Sequence, residues 1–258
     1  MKFKELKFIK MNPAGNTTLL FINDNLEKNL LKEISRIAME ETNLYAEQVG
    51  FISNNHLQMM GGEFCGNASR SFATYLAFND PDFKNEKTYN ITCSGENSIL
   101  NVEVRATEFK NQYFAKIKMP KNTSIEKITV DNYLSCYEVI FTGITHFIVE
   151  HNIDEKIIST LEKYSKEKGY SAFGIMFFNE KENKMVPFVK VENFDGVWEN
   201  SCGSGTTAVG YFLKKYKNIE SAKINQPGGW LEVSFKDEDI YIDGPVEIVA
   251  QGISYMNI

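Results

Sequence analysis

No stretch of this chain approaches eighteen uninterrupted apolar residues, so the sequence predicts no membrane span. Its start, MKFKELKFIKMN, carries lysines but lacks an apolar run of secretory length, which points to a cytoplasmic protein. No block of five like charges occurs, and a net charge of −6 argues against nucleic acid as a partner. The four cysteines, Cys65, Cys93, Cys136 and Cys202, include no C-x-x-C pair. The three histidines, His56, His146 and His151, lack metal-ligand spacing, so no metal is expected. A disulfide framework does not suit a chain of this length without an export signal.

What remains is the composition of an ordinary globular protein, 43% hydrophobic and 24% charged over 258 residues. That length suits one large domain or two of about 120–130 residues. The opening reads as strand, turn, strand, with NPAGN at 12–16 as the turn. Asp24 or Asn25 could cap a helix over 26–41, whose Leu26, Leu30, Leu31, Ile34, Ile37 and Ala38 share a face. EQVGFI and HLQMM read as strands, then GGEFCGNASRSFATYLA opens a helix at Cys65. Alternating strands fill 88–119, and MPKNTSIEK reads as a crossover. The plan then repeats: strands, a lysine-rich helix over 154–168, strands, ENSCGSGTTAVGYFLK opening a helix to about Tyr216, and four strands. The last two of these are DIYIDG and VEIVAQG. The repeat is about 130 residues long, well above solenoid periods. It divides the chain into 1–120 with Cys65 and 121–258 with Cys202, the last strand being free to return to the first half.

A cysteine just before a helix meets unpaired N–H groups and the positive end of the helix dipole. Both favour thiolate, and the same N–H groups can hold a carboxylate. Two such cysteines suit a reaction that needs a base and an acid on opposite faces of one carbon, as amino-acid racemisation does. Gly66 and Asn67, and Gly203 and Ser204, are placed to supply N–H groups to the α-carboxylate. Cys93 and Cys136 lie in strand-like runs and read as structural. Glu63 and Glu199 flank the two cysteines and could bind an ammonium. His146 reads as a polar core residue.

With these motifs the sequence resembles the diaminopimelate epimerase-like family of cofactor-independent racemases and epimerases, over nearly its whole length. CGNA at 65–68 and CGSGTTA at 202–208 match the two catalytic cysteine motifs. NPAGN ends in the family's substrate-binding asparagine, here Asn16, and EQV carries its substrate-side glutamine, here Gln48. QPGGWLEV and DGPVEIVAQG resemble its C-terminal strands. The resemblance implies an α+β fold of two pseudo-symmetric halves, each a β-barrel-like roll around a central helix. It also implies catalysis by Cys65 and Cys202 without cofactor or metal, and substrate binding by Asn16, Gln48, Gly66, Asn67, Glu199, Gly203 and Ser204.

Departures bear on the substrate. The family stretch E-R-G-x-G-E-T, whose arginine holds a distal carboxylate, is replaced by NFDGVWENS without arginine. G-N-P-H becomes GITH at 143–146, putting Ile144 where asparagine is usual, and a later asparagine is lost near Gly174. No counterpart of the upstream asparagine stands out around His56–Met60. MNPAGN, EQVGFI and GGEFCGNA instead resemble the histidine racemases of opine-metallophore biosynthesis, which implies interconversion of L- and D-histidine. A diaminopimelate epimerase, a racemase of another amino acid and a non-catalytic amino-acid-binding protein are the alternatives. The expected partner is a small-molecule amino-acid substrate, and a homodimer is left open.

Overall fold

The computed structural model describes residues 3–22, 26–192 and 194–258. The chain divides into two compact units, Met1–Lys118 with Asp243–Ile258, and Met119–Ile242. In the first, seven strands pair in chain order: β1 (Phe3–Asn12), β2 (Thr18–Ile22), β3 (Gln48–Ser53), β4 (His56–Met59), β5 (Glu86–Cys93), β6 (Leu100–Ala106) and β7 (Gln112–Lys118). Two of these neighbours are parallel, β2 with β3 and β4 with β5. Parallel neighbours need a crossover, supplied here by helices α1 (Lys28–Met39) and α2 (Gly66–Phe78).

The second unit holds β8 (Ser124–Val130), β9 (Leu134–Phe141), β10 (Ile144–Val149), β11 (Ala172–Asn179), β12 (Lys184–Val191), the short β13 (Val197–Trp198), β14 (Ser221–Gln226) and β15 (Gly229–Lys236). Its parallel pairs are β10 with β11, bridged by α3 (Glu155–Lys168), and β12 with β14, bridged by α4 (Gly203–Phe212). The alternation of antiparallel and parallel pairs around two helices is thus the same in both units. The last strand, β16 (Asp239–Asn257), begins in the second unit beside β15. From Asp243 onward it belongs to the first unit, where it lies between β7 and β1 and closes the ring.

The helices differ in use. In α2 every residue from Gly66 to Thr74 is buried, and Ala77 with them. Its small side chains let the surrounding strands approach it on all sides. By contrast, α1 buries one face: Leu31, Ile34 and Ala38 pack on Leu19, Phe21, Val49 and Phe51. Likewise α3 sets Ile157 and Leu161 against Phe147, Val149, Phe173 and Ile175. Each face removes apolar area from water at about 25 cal/mol per Å². Among the described residues no helix is long and apolar enough to cross a membrane.

Four local expectations change. Asp24 and Asn25 lie outside the described residues, and α1 starts at Lys28 with Glu27 at its cap and no side-chain capping bond. The crossover MPKNTSIEK contains the start of β8, because Ile125 and Val130 are buried while Ser124–Val130 pairs antiparallel with β9. The helix that follows Cys202 is α-helical to Phe212 and then widens into one π-type turn, Leu213–Lys217. DIYIDG and VEIVAQG are one strand, since Gly244 and Pro245 stay extended within β16.

Candidate active site

The first cysteine is set by a tight loop. Ser94 Oγ accepts from Met59 N at 2.9 Å and donates to Glu63 O at 2.9 Å. Gly95, at φ +75°, lies so close to the Glu63–Phe64 backbone that a Cβ would collide with it. Cys65 follows as the N-cap of α2, at φ −133° and ψ 112°. Its Sγ accepts from Ala68 N at 3.4 Å, and its carbonyl accepts from Ser69 N at 2.9 Å. Sulfur here takes the place of the usual cap oxygen.

Around this cap the structure brings together Asn16, Gln48, Cys65, Gly66 and Asn67. In the NPAGN turn, Asn12 Oδ1 accepts from Gly15 N at 2.8 Å, and Asn16 is buried. Asn16 Nδ2 donates to Glu47 Oε2 at 2.8 Å. Gln48 Nε2 donates to Asn16 Oδ1 at 2.6 Å, and Cys65 Sγ donates to Gln48 Oε1 at 2.8 Å. Arg70, fully buried in α2, donates to Asn67 Oδ1 at 3.1 Å, to Ala115 O at 2.8 Å and to Pro245 O at 3.0 Å. Burial lowers its pKa to about 10, and the charges of Asp243 and Cys65 oppose that fall. Asn67 thus has its side-chain oxygen engaged by Arg70. Glu63 is exposed.

In the second unit Cys202 is the N-cap of α4, at φ −123° and ψ 112°. Its Sγ accepts from Gly205 N at 3.4 Å and its carbonyl from Thr206 N at 2.9 Å, the distances found at Cys65. Where α2 has Ala68, α4 has Gly205, because a Cβ there would collide with Met176 Sδ. Cys202 N donates to Gln226 Oε1 at 2.8 Å, and Gln226 Nε2 donates to Thr206 Oγ1 at 3.0 Å. Ser204 Oγ lies 3.6 Å from Cys202 Sγ and 2.9 Å from His146 Nε2. Glu199 is anchored by its N–H on Pro187 O at 3.0 Å, and its carboxylate acts on the Cys202 thiol. The structure therefore groups Glu199, Cys202, Gly203 and Ser204.

The two sulfurs differ in surroundings. Burial, and then the charge of Glu199, push the Cys202 thiol well above its ordinary range, against the smaller pull of Ser204 and the Gly205 N–H. Helix-start N–H groups were expected to favour thiolate at both cysteines. At Cys202 desolvation outweighs them and favours the thiol. Cys93 and Cys136 are buried on β5 and β9, and burial raises both, Cys136 to about 12.

Sequence reasoning passed over three residues at these clusters, Glu47, Arg70 and Gln226, and read the fourth, His146, as the polar core residue it is. His146 is buried, and desolvation lowers its pKa to about 3. Its Nδ1 has no hydrogen-bond partner among the described residues. Opposite it in register sits Gly174, where a Cβ would strike that ring. The glycine in place of asparagine thus makes room for the imidazole. One signal was available: an arginine five residues into a helix of small, buried-type residues must find acceptors.

The family model described as histidine racemase CntK N-terminal domain matches residues 5–255. A histidine racemase of Fusobacterium nucleatum subsp. nucleatum is 54% identical over an alignment of 261 residues, covering 99% of each chain. A diaminopimelate epimerase of Thermotoga maritima is 26% identical over 189 residues, 71% of this chain and 72% of its own. A hydroxyproline epimerase of Agrobacterium vitis, solved with trans-4-hydroxy-L-proline bound, shares the fold with a TM-score of 0.67 at 9% identity, over 98% of this chain and 93% of that one. Two cysteine-capped helices in a duplicated α+β fold, and near-complete coverage at this identity, lead to one conclusion: the chain is an isomerase that belongs to the histidine racemase family.

Proposed function

We propose that this chain interconverts L- and D-histidine without a cofactor, with Cys65 and Cys202 as its acid/base pair. The observation that carries the reading is the pair of cysteine N-caps, alike in dihedral angles and in their bonds to the third and fourth residues onward. In each direction one sulfur, as thiolate, takes the α-proton and becomes a thiol. The electron pair left on Cα delocalises into the carboxylate, and the other thiol returns a proton to the opposite face. Charge and protons balance, and the two sulfurs end with exchanged protonation states. The N–H groups of Gly66 and Asn67, and of Gly203 and Ser204, bind the carboxylate, whose charge grows as the α-proton leaves.

Histidine is favoured by what the substrate need not have. A second carboxylate, once desolvated, requires a cation, and an unpaired one costs several kcal/mol, roughly 3–5. The stretch NFDGVWENS offers neither arginine nor lysine. An imidazole needs an apolar wall and one or two acceptors. Trp198, tilted against Phe177 and edge-on to Phe188, and the Glu199 carboxylate are suited to that need. The test is incubation with single L-amino acids in heavy water, followed by mass spectrometry and chiral chromatography. L-Histidine should gain one deuterium at Cα and yield D-histidine much faster than the isomers of diaminopimelate interconvert. Faster exchange of diaminopimelate would end the histidine assignment and leave the two-thiol mechanism standing.

A further inference from the structure

A chain of hydrogen bonds with only one allowed direction runs to Cys65. It begins at Glu47, a carboxylate and hence an acceptor, to which Asn16 must present its NH2 group. Asn16 is then left with its oxygen toward Gln48, so Gln48 must present its own NH2 group there. Gln48 in turn can offer only its carbonyl to Cys65, which meets it as an S–H donor. An amide alone could sit either way round; the carboxylate removes that freedom. We propose that Glu47 is a positioning residue that, through Asn16 and Gln48, fixes a hydrogen-bond acceptor against Cys65 Sγ and holds this cysteine as a thiol until substrate enters.

An acceptor at sulfur stabilises the thiol, whereas a donor would stabilise the thiolate. Other groups act on the same sulfur. The Arg70 guanidinium in α2 favours thiolate, and Asp243 on β16 offsets Arg70. Glu63 precedes the cap in the loop, and Cys93 on β5 neighbours the Cys65 backbone. None of these depends on which way the two amides point, so the effect of Glu47 is separable from theirs. The inference rests on reading Cys65 as an acid/base residue, but its test follows the proton on sulfur and not turnover.

The experiment compares the full chain with Glu47→Gln, Glu47→Ala and Glu47→Asp. Each is alkylated with iodoacetamide across a pH series, and the Cys65 peptide is followed by mass spectrometry. Glu47→Gln can accept or donate, and Glu47→Ala does neither; both free Asn16 and Gln48 to turn over. The alkylation midpoint of Cys65 should fall by about one pH unit in both, a tenfold rise in thiolate below the midpoints. Glu47→Asp keeps an acceptor and should keep the wild-type midpoint. A folded Glu47→Gln or Glu47→Ala with an unchanged or higher midpoint overturns the proposal. So does loss of a cooperative melt in both, which would make Glu47 a purely structural residue. If the racemase reading itself failed, with no deuterium entering any amino acid, these midpoints would still decide the role of Glu47.

Discussion

Replacing Arg70 by methionine should cost this protein far more than an ordinary surface change. The guanidinium is fully buried and ties three places far apart in sequence: Asn67 in its own helix, Ala115 on β7 and Pro245 on β16. Methionine fills much of the same volume, so the cavity term is small. The loss lies in the abandoned acceptors, two of them deeply buried, at about 1–3 kcal/mol for each buried group left unpaired. Removing a desolvated charge gives part of this back, leaving a net loss of about 3 kcal/mol. For a chain of this size that lowers Tm by roughly 6–12 °C. Thermal unfolding followed by circular dichroism at neutral pH measures it. Arg70→Lys keeps the charge but not the planar fork, and should recover less than half of the loss. An Arg70→Met protein melting within about 2 °C of wild type would refute the idea that these bonds join helix to strands.

Cys65→Ser and Cys202→Ser should each slow racemisation by about 10²–10⁴-fold, since a hydroxyl is a far weaker acid than a thiol. Cys93→Ser and Cys136→Ser should keep turnover near wild type when assayed by chiral chromatography. His146 is neutral in the fold, with a pKa of about 3 against 6.5 when unperturbed. Its stabilising contribution is complete above pH 6.5 and is lost as pH falls toward 3, at about 1.4 kcal/mol per pH unit. Urea titrations between pH 7 and 4.5 should show a slope smaller by one proton in His146→Gln than in wild type; equal slopes would mean that the ring is protonated in the fold.

Much of this was legible because it is local. Alternation such as LNVEVRA announced β6, and a Cys-Gly step before small residues announced both caps. Asn16, Gln48 and Cys65 came from motifs that the fold then joined by hydrogen bonds. What escaped depends on partners distant in sequence. Two of the three acceptors of Arg70 sit on the distant strands β7 and β16, and the space for His146 is made by Gly174 on another strand. Gly244–Pro245 looked like a break, yet the strand continues and the Pro245 carbonyl accepts from Arg70. The burial that raises the Cys202 thiol against its helix-start N–H groups leaves no mark on the local sequence.

The shared last strand has a consequence for biosynthesis. On the ribosome, residues 3–118 emerge early, but the strand that joins β7 to β1 is made only after Met119–Ile242. At usual elongation rates the wait is on the order of ten seconds. During it the margins of β1 and β7 expose unpaired backbone groups, the kind of edge that recruits neighbouring chains. Two lysines of β1, Lys4 and Lys7, place like charge along one of those margins, which discourages a neighbouring strand from adding there.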